Sequence, residues 1–377
     1  MALLRCPQCS SEAPAASREL ECSCGVPYDV EHAFRLIERD VFDARGPHSA
    51  APLDSGVWRF RELVYPRFPS EAVISLREGN TPLHASAELC EFVGIEQVRL
   101  KHEGLNPTGS FADRGMTVAV SRARANGARH LVCASTGAAG ASLGAYAARA
   151  GLPCTLLAPA ANHAPAKLAQ ARVFGARVML VRADAERVRT LARDLARAEQ
   201  LDLLDACNPF RIEGQKSILF ELLAQLAWRA PDWIALPLAN HGNCIAFAKA
   251  LREARYLGLI ERLPRLLAVG TELDASLHGA RRARAAVEET RGQVLAITPA
   301  QTSEAKRAID RAGLGCDLAS AAGLAGARAL AERGGIGPEE SVIVVLDSHL
   351  LGAHAASDDL KDSLEADLGA LRSVLAN

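Results

Sequence analysis

Lysine is scarce in this sequence, with six among 377 residues; aromatic side chains make up 5% of it, and the formal net charge is only −1. A charge so near zero removes the electrostatic reason to expect nucleic acid or an anionic membrane as the main partner. No apolar run reaches the roughly 20 residues that span a bilayer, and the few apolar residues before Cys6 are too short for a secretory leader. The expectation is a cytoplasmic protein. Internal repeats and low-complexity tracts are missing as well. What is present, 49% hydrophobic and 23% charged residues, suits one large buried core or two medium ones. The expected partner is a small molecule, not nucleic acid or membrane, and a homodimer is left open.

Ten cysteines without a secretory leader do not suggest a disulfide framework. Four of them cluster: Cys6 and Cys9 form C-x-x-C, and Cys22 with Cys24 forms C-x-C before Gly25. Two such knuckles resemble a zinc ribbon, in which four thiolates hold one tetrahedral ion, although the second knuckle is one residue short of the usual spacing. A metal-free remnant of a ribbon and four free thiols are the alternatives. A closed four-thiolate site would be structural, because it leaves no coordination position open.

From Glu96 onward short β-rich runs alternate with helical patterns, the signature of a parallel sheet flanked by helices. Predicted strands cover 98–101, 131–134, 154–158 and 177–182, each followed by an amphipathic helix, the last over 184–199. Further strands are predicted at 233–236, 266–270 and 341–346. Crossover handedness then favours a doubly wound α/β architecture with binding loops at the C-terminal strand ends. The Gly-, Pro- and Ser-rich stretch 45–55 has the composition of a linker.

Asn106-Pro107-Thr108-Gly109-Ser110-Phe111 lies between a strand and a helix, with Ser110 placed to cap the helix and Asp113 to complete a capping box. Taken alone, it is a well-capped helix start. The wider string from Lys101 through Asn106-Pro107-Thr108-Gly109-Ser110-Phe111-Ala112-Asp113-Arg114-Gly115 is similar to the active-site segment of threonine synthases and other fold type II enzymes that use pyridoxal phosphate (PLP). Trp58-Arg59-Phe60-Arg61-Glu62, Glu78-Gly79-Asn80-Thr81-Pro82-Leu83 and 208–217 extend the resemblance, as does an N-terminal ribbon. It implies a fold type II scaffold of two doubly wound α/β domains behind a small zinc ribbon: 1–45 as ribbon and linker, 46–110 with 213–377 as the large domain, and 111–212 as the smaller one.

The same resemblance exposes four departures. Ala112 stands where the family's lysine holds PLP as an imine. In Ser135-Thr136-Gly137-Ala138-Ala139-Gly140, a helix-start loop suited to a carboxylate, Ala138 replaces the asparagine that would meet the cofactor's ring hydroxyl. In Pro237-Leu238-Ala239-Asn240-His241-Gly242-Asn243, a glycine of the phosphate cradle is Ala239 and His241 intrudes, either as a solvated loop histidine or as an anion or proton partner. In Asp347-Ser348-His349-Leu350 the hydroxyl that would face the pyridine nitrogen is Asp347, either a turn residue or a carboxylate aimed into the pocket, while His349 is kept.

One lysine-to-alanine change would resemble a trap made in the laboratory; four departures together imply a chain that does not hold PLP covalently. Lys101, Arg114, Ser135, Thr136, Gly137, Asn208, Arg211, Lys216, Asn240, Gly242 and Asn243 remain as anion-binding candidates. His241, Asp347 and His349 are candidates for proton transfer. Should another lysine take PLP, Lys101 is the nearest in sequence. The expected function is a PLP-independent lyase or synthase acting on a phosphorylated or carboxylated amino-acid-like molecule by elimination, phosphate loss or condensation. The alternatives are a pseudoenzyme that binds a metabolite or partner protein, an inactivated variant of a PLP-dependent relative and, least favoured, a zinc enzyme.

Overall fold

The computed structural model describes residues 2–206, 208–238, 241–270, 278–353, 363–365, 369 and 372; the side chains of 241, 278–280, 352–353 and 363–365 are not among the described groups. Three short antiparallel strands, β1 (Leu3–Arg5), β2 (Glu12–Pro14) and β3 (Asp29–Glu31), carry the four clustered cysteines on their connections. The four Sγ atoms lie within 4.8 Å of one another, with Cys6 and Cys22 buried and Cys9 and Cys24 exposed. Two short helices, α1 (Arg39–Asp43) and α2 (Arg61–Val64), then lead into the main body.

The body alternates strand and helix as its sequence pattern demands. In chain order come β4 (Leu83–Ala85), α3 (Ala87–Val93), β5 (Gln97–His102), α4 (Ala112–Ala125), β6 (Leu131–Ala134), α5 (Ala138–Ala150), β7 (Cys154–Pro159), α6 (Pro165–Val173) and β8 (Arg177–Arg182). There follow α7 (Ala185–Ala198), β9 (Asp202–Leu203), α8 (Pro209–Gln215), α9 (Ser217–Gln225), β10 (Trp233–Pro237), α10 (His241–Tyr256), β11 (Arg265–Gly270) and α11 (His278–Glu289). Last are β12 (Gln293–Ala296), α12 (Pro299–Arg311), α13 (Ala322–Ala331), β13 (Ser341–Leu346) and β14 (Ser363–Glu365). Helix α7 shows the logic: Asp184 caps it by accepting from Arg187 N at 2.7 Å, and Val188, Leu191, Ala192 and Leu195 bury one face at helical spacing.

Two sheets result. One has the order β12-β11-β10-β13-β5-β4, parallel except for β4; the other has the order β14-β8-β7-β6-β9, with parallel pairing throughout. All seven strands expected from the sequence are present, while β4, β9, β12 and β14 are additions to the body. Strand β14, near the C-terminus, pairs with β8 and so returns the chain to the sheet of the 131–203 region. Consecutive parallel strands carry β-rich, fully buried sequences such as Leu131–Ala134, as expected when helices cover both faces.

Helix α4, which follows the Ala112 motif, is buried from Ala112 through Ala123. It packs on α5 and α8, and two glycines permit the approach to α8. A Cβ on Gly214 would collide with the Arg114 carbonyl, and one on Gly115 would lie 2.9 Å from the Arg211 carbonyl. The N-terminal three-stranded segment is tied to the same elements: Arg122 of α4 donates to the Ala15 carbonyl at 2.9 Å, His32 Nε2 meets Glu213 of α8 at 2.7 Å, and Lys249 of α10 donates to the Val30 carbonyl at 2.5 Å.

Beneath α4 lies a fully buried ionic network. Arg114 Nε meets Glu103 at 2.6 Å and its Nη2 meets Glu221 at 2.8 Å, while Lys101 Nζ meets the same Glu221 oxygen at 2.5 Å. Burial pushes the Glu221 carboxyl up, but Arg114 and Lys101 more than reverse this and hold it below the ordinary carboxylate range. Its stabilising contribution is therefore complete above the unfolded-state value of about 4.3 and fades as pH falls further. Glu221→Gln, which leaves two buried cations short of a partner, is expected to cost about 3–5 kcal/mol in urea unfolding at neutral pH, with the gap to the unsubstituted protein narrowing under acid; a variant as stable as the parent would contradict this.

Candidate functional site

The Ala112 motif takes a different local form from a capping box. Ser110 Oγ accepts from Ala112 N at 3.3 Å, but Asp113 turns back to Thr108, accepting from its N at 2.7 Å and from its Oγ1 at 2.7 Å, and takes a third bond from Ser142 Oγ of α5 at 2.6 Å. Asp113 thus clamps the loop to two helices. Burial raises its carboxyl to about 6, against the pull of these donors. Ala112 is the first residue of α4 and 1% exposed, and its side chain is a methyl group with nothing to offer chemically.

The end of β13 lies against this loop. Phe111 N donates to the Asp347 carbonyl at 2.9 Å, Ser110 and Ser348 form an isolated bridge, and His349 N donates to the Gly109 carbonyl at 3.0 Å. These contacts bring Asp347 and His349 to the start of α4. Asp347 is buried and accepts from Asn243 Nδ2 at 2.6 Å. Burial, with Asp317 and Glu103 nearby, pushes its carboxyl well above the ordinary value, which favours a neutral acid able to donate a proton. Leu351 N donates to His349 Nδ1 at 3.2 Å, which leaves the ring proton on Nε2, and the ring stacks on His102 with centroids 6.0 Å apart. Burial, His102 and Lys167 all lower its pKa, which favours the neutral ring.

The third wall is the start of α5. Ser135 Oγ accepts from Gly137 N at 3.1 Å and Gly140 N at 3.2 Å, and the exposed Thr136 gives its carbonyl to Ala164 N at 2.7 Å. Ser135 therefore shapes the loop, and Gly137 N is directed to it. Ala138 and Ala139 open the helix, where N–H groups have no acceptor within the helix, the kind of position that can hold an anion. In the fourth wall, at the start of α10, Gly242 and Asn243 are described; Asn240 and the side chain of His241 lie outside the described residues.

Several other candidates are placed elsewhere. Lys101 and Arg114 belong to the buried network with Glu221, and Lys216 meets Glu213 at 2.6 Å and Glu253 at 2.7 Å, so these charges are matched inside the fold and not presented to a ligand. Asn208 caps α8, accepting from Phe210 N at 3.0 Å. Arg211 is buried beside Cys133 and Asp205, with Nε and Nη1 lacking a hydrogen-bond partner among the described residues. A cavity of about 350 Å³ lies at a distance from the motif, between Arg18–Glu21 of the ribbon region and α7.

One group that sequence reasoning missed is Lys167 of α6. It is 6% exposed and its Nζ donates to the Thr108 carbonyl at 2.8 Å, in the very loop that precedes Ala112. Burial lowers its pKa, and Asp113 and Asp317 partly restore it. The scarcity of lysine was the one available signal, since each of the six was worth placing.

The chain matches the family model described as "Pyridoxal-phosphate dependent enzyme" over residues 74–348. It is 33% identical to the threonine synthase of Methanosarcina acetivorans over 407 residues, covering 99% of this chain and 98% of that one. To the threonine synthase of Methanocaldococcus jannaschii it is 32% identical over 408 residues, covering 99% of both. Among solved structures, maize serine racemase superposes with a TM-score of 0.62 at 18% identity, over 85% of this chain and 96% of that one, a likeness of fold alone. With the Ala112 motif, the start of α5, the start of α10 and the end of β13 gathered at one place, this chain belongs to the pyridoxal-phosphate dependent enzyme family and is threonine synthase-like within it.

Proposed function

We propose that this protein is a threonine synthase-like lyase or synthase that works on a phosphorylated or carboxylated amino-acid-like molecule without PLP held covalently at position 112. The observation that carries the reading is a buried methyl group at Ala112 beside a residue with a buried carboxyl, Asp347, whose backbone carbonyl accepts from Phe111 N. The residues present do not fit an imine-held cofactor there: the amine is missing, and the carboxyl at Asp347 favours its protonated form.

Within this reading the substrate's anionic group lies at the N–H groups that open α5. A C–O bond to phosphate breaks, the bonding pair leaves with the phosphate, and Asp347 supplies its proton. The proton lost from the carbon skeleton goes to His349 or His241. Anion stabilisation and one positioned acid can each contribute orders of magnitude, so a substrate with a good leaving group does not require a cofactor for its departure.

The ribbon's role in this proposal is structural. Four thiols with sulfur atoms within 4.8 Å of one another, buried and exposed in pairs, suit one tetrahedral zinc ion and leave no position for substrate.

Three measurements check these statements. Phosphate release from phosphorylated hydroxy amino acids is expected from the purified protein and is expected to fall on the alkaline side, as Asp347 loses its proton; Asp347→Asn should slow it about 100-fold or more and remove that alkaline limb. Indifference to this substitution would shift the case to a pseudoenzyme. Ala112→Lys is expected to give no threonine formation with added PLP, because Ala138, Ala239 and Asp347 also depart from the family; threonine made by this single variant would show an otherwise intact PLP site. Elemental analysis is expected to find one zinc per chain, lost with Cys9→Ser, and chelation should lower the melting temperature; a metal-free protein of unchanged stability would refute the ribbon.

A further inference from the structure

Five of the six lysines lie among the described residues, and four of these meet carboxylates: Lys101 with Glu221, Lys216 with Glu213 and Glu253, Lys249 with Glu213, and Lys306 with Asp310. Lys167 has no ion-pair partner at such distance among the described residues. Its Nζ instead donates to two backbone carbonyls of the motif loop, Thr108 at 2.8 Å and Gly109 at 3.5 Å. Both acceptors are neutral carbonyls, the second at the limit of hydrogen-bond distance, so no carboxylate at bonding distance among the described residues holds this nitrogen as an ammonium.

The position of this amine is as informative as its bonding. Gly109 has φ +79°, and a Cβ built there would lie 3.2 Å from Lys167 Nζ and 3.6 Å from the Cβ of His349, so the amine and the histidine flank one face of the same glycine. The stem of Lys167 lies along the α5 loop: a Cβ on Gly137 would be 3.4 Å from its Cβ. One side chain thus spans the anion-binding loop and the motif loop and ends three residues from Ala112.

We propose that Lys167 is the reactive amine of this site, taking as its partner a small aldehyde or ketone that also carries a carboxylate or phosphate. The anion lies at the start of α5 and the lone pair of Nζ adds to the carbonyl carbon. The two amine hydrogens leave with the carbonyl oxygen as one water, and a C=N bond remains. His349, on the other side of Gly109, is placed to relay the protons. This corrects the expectation that Lys101 would be the substitute amine, because Lys101 is fully buried against Glu221. The proposal rests on the reading above only in taking the Ala112 loop as the reaction site.

The carbonyl compound has two sources, a 2-oxo acid substrate or PLP itself, and reductive trapping separates them. The full-length protein is treated with sodium cyanoborohydride and pyruvate, glyoxylate or PLP in parallel, followed by intact mass and peptide mapping. One adduct per chain on Lys167 is expected, falling to background in Lys167→Arg, which keeps N–H donors for both carbonyls but has no nucleophilic amine, and unchanged in Lys306→Arg. Melting temperatures of both variants establish that they are folded. Trapping by a 2-oxo acid without phosphate release in the earlier assay would sink the elimination chemistry and leave Lys167 standing; trapping by PLP alone would retain Lys167 and overturn the cofactor-free reading. Adducts that persist in Lys167→Arg, or no adduct from any of the three compounds, would overturn the proposal.

Discussion

The buried guanidinium of Arg114 is the constraint around which the site scaffold is organised. It meets Glu103 just after β5 and Glu221 on α9, and through Glu221 it is coupled to Lys101 on β5, while Asn80 N and Thr81 N also donate to Glu221 at 2.7 and 3.0 Å. Two cations and two carboxylates out of contact with water stabilise one another only as a set, because removing any one leaves an uncompensated buried charge. The set fixes the start of α4 relative to the large sheet. It does so two residues beyond Ala112, and so independently of what stands at that position.

This separation means that the shape of the motif does not depend on the side chain at position 112. Asp113 holds Thr108 and Ser142, Phe111 N holds the Asp347 carbonyl, and Gly115 and Gly214 let α4 and α8 approach, none of which uses the side chain at 112. A methyl group there costs the scaffold no charge partner. Chemistry and architecture are carried by different side chains of one helix start, so one can change while the other persists.

The N-terminal cysteine-bearing segment is part of the same scaffold through its contacts with α4, α8 and α10. Glu213 joins His32 of the ribbon region to Lys216 and Lys249, a second buried ionic set. One network thus ties α4 to α9 and the other ties α8 to α10.

Strand and helix order and the cysteine cluster were legible because each depends on neighbours within a few residues: alternation and knuckle spacing are local. The family resemblance was legible for the same reason. The short strands β4, β9, β12 and β14 were not, since two to four residues give no period to detect and pairing with a distant strand decides them. Nor could sequence separate a charge facing a ligand from one facing a carboxylate. Lys101, Arg114 and Lys216 have the residue types of an anion site and are matched by Glu221, Glu103 and Glu213, two of them reached only across more than a hundred residues of chain or by the turn of a buried helix. Lys167 sits in no motif at all. What the sequence determined by itself was the scaffold and an alanine at position 112; what only the tertiary structure decided was that an amine 55 residues further along reaches the same loop, because the fold of α6 against α5 and not any local pattern sets where its Nζ ends.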